Sequence, residues 1–330
     1  MVLTSFVRRS VTRAHVRCLS YKPDIEAIKK LRAASEAPLK DVKNALAATN
    51  GDFPAAFEWL RKKGIARASA KAGRTTAQGL IGVHVSGKVG AMVEINSETD
   101  FVAMNDKFQE LVAQVSTALA ETNAVGGSLV TPLEGESFGQ VAVNGSTVAE
   151  LVPELVGKVG ENVVARRGVK FEVDEGAVCS YLHNIAAPGL GRAGALVALQ
   201  YASSSATPEQ VQEIETLGKR LAMHIVAAKP KYLSRDVVPE AVVEKERTFL
   251  TEQVKDSGKP EHIVAKMTEG RLSKFFGEFT LLEQDHFIEE GNPKVGAFVE
   301  SAAKKIGVDV TIAAYERFEI GEEKEEEASA

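Results

Sequence analysis

The sequence predicts an α+β fold: an N-terminal three-helix bundle, then two α/β subdomains with antiparallel sheets, and a helical hairpin projecting from the second. Three observations carry this reading. Residues 25–63 hold three short helical patterns. Beyond residue 75, strand-like runs interleave with apolar repeats at i, i+3, i+4 and i+7, which is an alternation of sheet and amphipathic helix. Residues 240–276 hold two charged helical runs separated by Ser257-Gly258-Lys259-Pro260, a turn that makes them an antiparallel pair.

In the bundle, expected over residues 21–70, the helical stretches are residues 25–34, 39–49 and 54–63. Asn50-Gly51 stops the second helix, and Asp52 caps the third ahead of Pro54. Ile28, Leu31, Val42, Leu46, Phe57 and Leu60 form its expected core, giving a bundle like a ubiquitin-associated domain. Lys71-Ala72-Gly73-Arg74 reads as a linker. The first subdomain, residues 75–175, opens with strands at 80–85 and 89–95 around the turn Ser86-Gly87-Lys88. A helix at 106–121 follows, with Phe108, Leu111, Val112, Val115 and Leu119 on one face. A Gly-rich loop near Gly126-Gly127, a helix at 148–159 and a strand at 163–173 complete it.

The second subdomain, residues 176–320, begins with strands at 178–182 and 195–201. Thr207-Pro208-Glu209-Gln210 then opens a long helix, its Thr and Gln spaced for a capping box. Val211, Ile214, Leu217, Leu221 and Ile225 are its buried stripe, and Lys229-Pro230 ends it. The hairpin at 240–276, a helix at 294–306 and a strand at 308–319 follow; residues 321–330 form an acidic, solvated, disordered tail.

Arg8, Arg9, Arg13 and Arg17 sit among Ser and Thr, and no Asp or Glu precedes Asp24. On a helix, Leu3, Val7, Val11, Ala14 and Cys18 share one face and Arg9, Arg13 and Arg17 another. Such an amphipathic, Arg-rich start reads as a mitochondrial transit peptide over residues 1–20, which directs the chain to the matrix; its apolar core is too broken for a secretory signal. The bland alternative is a basic tail without function. The formal charge is −5, and becomes about −9 once these four arginines leave. Binding nucleic acid without sequence preference needs surplus Lys and Arg, so no direct nucleic-acid partner is expected. No apolar run approaches the ~20 residues that span a bilayer, so no membrane partner is expected either. Cys18 and Cys179 provide neither a metal spacing nor a disulfide framework.

Enzyme signals are weak. Gly189-Leu190-Gly191-Arg192-Ala193-Gly194 matches G-x-G-x-x-G, but it leads into a strand-like run instead of the helix whose free amides would hold a pyrophosphate. No G-x-x-x-x-G-K-[ST] run occurs, and His84, His183, His224, His262 and His286 are scattered without metal-ligand spacing. No cofactor, metal or catalytic residue is expected. His224, on the long helix, reads as a packed or surface histidine. The sharpest feature is Asn96-Ser97-Glu98-Thr99-Asp100-Phe101-Val102, an aromatic offered where a strand ends and a helix begins. Asp100 and Phe101 are either a helix-start carboxylate with a core aromatic, or a wedge aimed at something outside the chain.

Several strings keep this segment company in one order. They are LRAASEAPLKDVKNAL (residues 31–46), NGD (50–52), VEINSETDFVA (93–103), VGENVVARR (159–167), MHIVAAKP (223–230), DSGKPEHIVAKMTEGR (256–271) and YERFEIGE (315–322). Together, over residues 25–321, they resemble the elongation factor Ts family and look like its organellar form. The resemblance implies a guanine-nucleotide exchange factor, not an enzyme, whose partner is elongation factor Tu, bound preferentially without nucleotide. It implies that Phe101 inserts between helices of the partner's GTPase domain and that Thr99, Asp100, Phe101 and Val102 displace the magnesium site there. It further implies that Leu39, Lys40 and Asp41 grip another helix of that domain, that His183 lies in the contact surface, and that the second subdomain and its hairpin hold the remaining domains. Three positions depart from the family pattern: Val42 replaces a cysteine, Met104 replaces a lysine, and the loop at 184–194 looks extended. The competing reading is a non-catalytic adaptor that binds proteins through its three-helix bundle.

Overall fold

The computed structural model describes residues 21–122, 128–202, 206–255 and 261–322. The transit-peptide reading, the Gly126-Gly127 loop and the turn of the helical hairpin therefore lie outside the described residues. The chain divides into two units, residues 1–66 and 67–330.

The first unit is helical. α1 (Ile25–Ser35) is capped by Asp24, whose side chain accepts the Ala27 amide at 2.6 Å. α2 (Leu39–Ala48) stops at Asn50 and Gly51, both at positive φ (52° and 84°). Asp52 accepts the Ala55 amide at 2.8 Å and starts α3 (Phe53–Lys71). Leu31, Val42, Ala45, Leu46 and Ala56 are buried together, with Ile28, Trp59 and Leu60 packed around them. Phe57, expected in this core, is exposed, and Trp59 packs in its stead. The expected linker at residue 71 is also corrected, because the Ala-rich run after Gly64 continues α3 to Lys71.

The second unit carries two main sheets, antiparallel throughout. β1 (Gln78–Ser86) and β2 (Val89–Ser97) pair over their whole length around a two-residue turn. A single helical turn, α4 (Asp100–Ala103), leads to α5 (Asp106–Glu121). Then come β3 (Val130–Glu134), α6 (Gly135–Gly139), the small ribbon of β4 (Ala142–Val143) and β5 (Ser146–Thr147), α7 (Val148–Val159) and β6 (Val163–Glu172). After β7 (Gly176–His183), the two-residue β8 (Leu190–Gly191) joins the first sheet, whose order is β3-β6-β2-β1-β8. The segment read as an extended loop at 184–194 is thus tied down, with Gly191 opposite Ile81. β9 (Ala193–Gln200) is the middle strand of the second sheet, ordered β10-β9-β7, and it receives the G-x-G-x-x-G run directly.

α8 (Pro208–Ala228) opens with the expected capping box: the Thr207 amide donates to Gln210 Oε1 at 2.8 Å and the Gln210 amide to Thr207 Oγ1 at 3.3 Å. α9 (Glu240–Lys255) and α10 (Glu261–Phe279) form the helical hairpin, and α11 (Val295–Ile306) and β10 (Thr311–Glu319) follow. Glu322 pairs with Arg317, so the chain is still held one residue past the point where the tail was expected to begin.

Three cores result. α5 covers one face of β1 and β2 through Phe108, Val112, Val115 and Leu119, against Leu80, Val93 and Ile95. α8 and α11 cover β7 and β9 through Ile214, Leu221, Ile225 and Val299, and a Cβ at Gly218 would come within 2.6 Å of Cys179 Cβ, so this glycine sets how closely α8 meets the sheet. Ile81, Met92, Phe171, Val178, Leu196 and Phe318 fill the space between the two sheets. Fully buried Glu94 faces that layer and accepts from Arg166 Nη1 at 2.8 Å, Arg167 Nε at 2.7 Å and Asn96 Nδ2 at 3.1 Å, so its charge is paired and its oxygens are hydrogen-bonded.

Candidate partner-binding site

The segment between β2 and α5 is built so that one turn of helix has two unlike faces. Thr99 is extended (φ −123°, ψ 159°) and caps α4, its Oγ1 accepting the Val102 amide at 3.4 Å. Asn105 ends the turn by capping α5, accepting the Lys107 amide at 3.0 Å. In between, Val102 (8% exposed) and Ala103 join the core beneath α5, while Phe101 (83%) and Met104 (67%) stand in solvent. Residues three apart share a helix face, which puts Phe101 and Met104 side by side. The core-aromatic reading of Phe101 is therefore wrong: Val102 takes that place. Asp100 is exposed in the first turn, where a carboxylate complements the helix dipole.

The two residues before this turn are gripped from one side by residues 160–162. Glu161 accepts from Thr99 twice, from the amide at 3.1 Å (Oε2) and from Oγ1 at 2.9 Å (Oε1). Glu98 accepts the Asn162 amide and the Arg74 guanidinium at 3.3 Å; the Asn162 amide first, then Arg74, holds its carboxyl below the usual carboxylate range. Ser97 Oγ donates to the Thr99 carbonyl at 2.8 Å.

The other residues singled out from sequence are placed elsewhere. In the first unit, Leu39 (42% exposed) and Lys40 present the first turn of α2 to solvent. Asp41 does not: it is 2% exposed and its Oδ1 accepts Lys63 Nζ at 2.7 Å, an internal tie between α2 and α3. In the second unit, His183 ends β7, exposed, with Nδ1 3.2 Å from the Tyr181 hydroxyl and exposed Ile185 two residues on. His224 is fully buried, its Nε2 3.0 Å from Gln284 Oε1 and its ring 4.8 Å from that of buried His286. Among the described residues, no three His, Cys, Asp or Glu side chains are placed to hold a metal ion, and no helix is long and apolar enough to cross a membrane. Sequence reasoning missed Glu161 and Met104 as parts of the site. Met104 could have been found from its spacing to Phe101, whereas Glu161 lies 62 residues from Thr99 and carries no local signal.

The family model described as Elongation factor TS matches residues 98–322, starting at Glu98, the first residue after β2. This chain belongs to the elongation factor Ts family. Elongation factor Ts of Rhizorhabdus wittichii is 45% identical over 303 residues, 92% of this chain and 94% of that protein. That of Rhodospirillum rubrum is 42% identical over 302 residues, 92% and 94% of the two chains, and that of Bartonella tribocorum is 44% identical over 303 residues, 91% and 94%. The relatives are bacterial, and the mixture of helix and antiparallel sheet agrees with elongation factor Ts membership.

Proposed function

We propose that this protein is the guanine-nucleotide exchange factor for elongation factor Tu in mitochondrial translation elongation, acting in the matrix without making or breaking a covalent bond. The observation that carries the reading is Phe101, an aromatic ring exposed on a capped turn whose inner face, Val102 and Ala103, is buried. An exposed ring on a rigid mount suits insertion into a partner better than it suits folding.

The physical requirement on an exchange factor is differential affinity. GDP is held in a GTPase by backbone amides of a phosphate loop and by a magnesium ion. A protein that speeds release must bind the nucleotide-free GTPase more tightly than the GDP form, and reciprocity then makes nucleotide weaken the factor's own binding equally. Phe101 supplies wedge volume and Asp100 an anionic contact beside the partner's magnesium site. Val102 anchors the turn from beneath, and Thr99 caps it. Leu39 and Lys40 add a grip from the first unit, with Asp41 supporting α2 from inside, and His183 adds contact from the second. The Arg-rich, acid-free start supports the mitochondrial setting.

The test is GDP release from elongation factor Tu, followed by fluorescence of a labelled nucleotide. The protein accelerates release, and Phe101→Ala slows the stimulated rate by about tenfold or more, a loss of at least about 1.4 kcal/mol of transition-state stabilisation. Release at the wild-type rate by this variant overturns the reading.

A further inference from the structure

We propose that Glu161 is a positioning residue for nucleotide exchange: it acts through Thr99 to hold the turn that presents Phe101. The inference rests on the wedge reading of Phe101 and concerns what fixes that ring in place.

α4 is four residues long. One turn of helix fixes several backbone angles for very few hydrogen bonds and does not persist unaided. Burial of Val102 and Ala103 pins its inner face, but both lie at the C-terminal half of the turn. The N-terminal half, which carries Asp100 and Phe101 outward, depends on Thr99. The Thr99 hydroxyl has two tasks there: it accepts the Val102 amide and it donates to Glu161. A hydroxyl has one proton, so donation to the carboxylate fixes the rotor and turns a lone pair toward the amide. The Thr99 amide donates to the other carboxylate oxygen, so backbone and side chain of the cap are clamped by one charged group.

Glu161 is itself placed by rigid structure. α7 ends at Gly160 with φ 81°, its amide donating to the Val156 carbonyl at 3.0 Å, and this left-handed cap turns the chain back toward the end of β2. Lys71 Nζ donates to the Gly160 carbonyl. Buried Asn162, the residue after Glu161, donates its backbone amide to Glu98 and its Nδ2 to the Arg74 carbonyl at 3.0 Å. Residues 160–162 therefore secure the two residues before α4 while leaving Phe101 itself untouched. Loosening the clamp lets the ring wander, and the entropy of ordering it again falls on the exchange step.

The experiment measures stimulated GDP release by the full-length protein in four versions: wild type, Glu161→Ala, Phe101→Ala and the double variant, with Glu161→Gln as the conservative partner. Glu161→Ala is expected to slow release roughly five- to tenfold. Glu161→Gln recovers part of the rate, because its amide oxygen still accepts one of the two Thr99 donors. In the Phe101→Ala background, Glu161→Ala adds no further loss, since the ring through which it acts is gone. If Glu161→Ala slows exchange by the same factor in both backgrounds, its role is structural and the proposal fails. It fails also if Glu161→Ala keeps the wild-type rate while Phe101→Ala is slow. A wild-type rate from Phe101→Ala would instead sink the wedge reading, a separate failure. Should Glu161→Ala not fold, Thr99→Val removes the hydroxyl from the same clamp at nearly equal volume, and the same lack of additivity with Phe101→Ala decides the matter.

Discussion

Phe101 and Val102 are consecutive apolar residues, and their opposite fates contain most of what is specific to this site. Phe101 makes no core contact to lose, so Phe101→Ala should change folding stability by less than about 0.5 kcal/mol, as surface changes do. Val102→Ala, by contrast, removes buried methyls and is expected to cost about 2 kcal/mol. Melting curves of the two variants check the pair, and a large loss of stability for Phe101→Ala would return the ring to the core. Hydropathy could not separate these residues in advance, because a turn of four residues is too short for a helical period; the resemblance singled out Phe101. Asp41 shows what local sequence leaves out: it is buried, and the group that pairs with its carboxylate, Lys63, lies 22 residues away. His286 offers a third test at this scale. Burial, then His224 and Arg220, hold it down to about 4, against 6.5 in the ordinary case. The unfolded chain thus binds more protons than the folded one between those values, and the stabilising contribution is complete above pH 6.5 and lost as pH falls toward 4. Urea midpoints should report a loss of about 2 kcal/mol between pH 7.5 and 5, flattened in His286→Leu; a wild-type protein equally stable at both would refute this.

Elements were legible where they were long and capped. α8 was readable at both ends, because Thr207 and Gln210 announce its start and Lys229-Pro230 its stop. β4 and β5, two residues each, have no period to read, and α6 hides in five residues with two glycines. α3 ran eight residues past its expected end because nothing in its Ala-rich continuation breaks a helix. The hairpin of α9 and α10 follows its own logic. Its buried side chains, Leu250, Leu272 and Phe276, gather with Val238, Val242 and Tyr232 into a cluster separate from the three sheet cores, while Phe249 is exposed. At its base Arg235 stacks on Phe276 at 4.4 Å and donates Nη2 to Glu283 at 2.7 Å. Replacing residues 240–276 by a short Gly/Ser linker should therefore leave one cooperative melting transition within a few degrees of wild type, while shortening the lifetime of the complex with elongation factor Tu. Loss of cooperative melting on this replacement would make the hairpin part of the main fold.

At the scale of the whole molecule, fold class came through because strand runs, helix stripes and short turns agree with one another over some 250 residues. What did not come through was the joining of the two sheets. Met92 lies on the face of β2 that points away from α5, and only the folded chain brings Leu196 of β9 and Phe318 of β10, both from the second sheet, into one core with it. Charge organisation was easier to read. Four arginines stand within the first 20 residues, before any acidic residue, whereas the rest of the chain carries the net negative charge. This asymmetry is the composition expected of a segment that is used once, during import, and then removed. We therefore predict import into mitochondria and cleavage near Leu19 or Ser20, shortly after Arg17. N-terminal sequencing of the protein purified from mitochondria checks it. A mature chain still beginning at Met1, or a protein found only in the cytosol, would show that the basic start is not a leader.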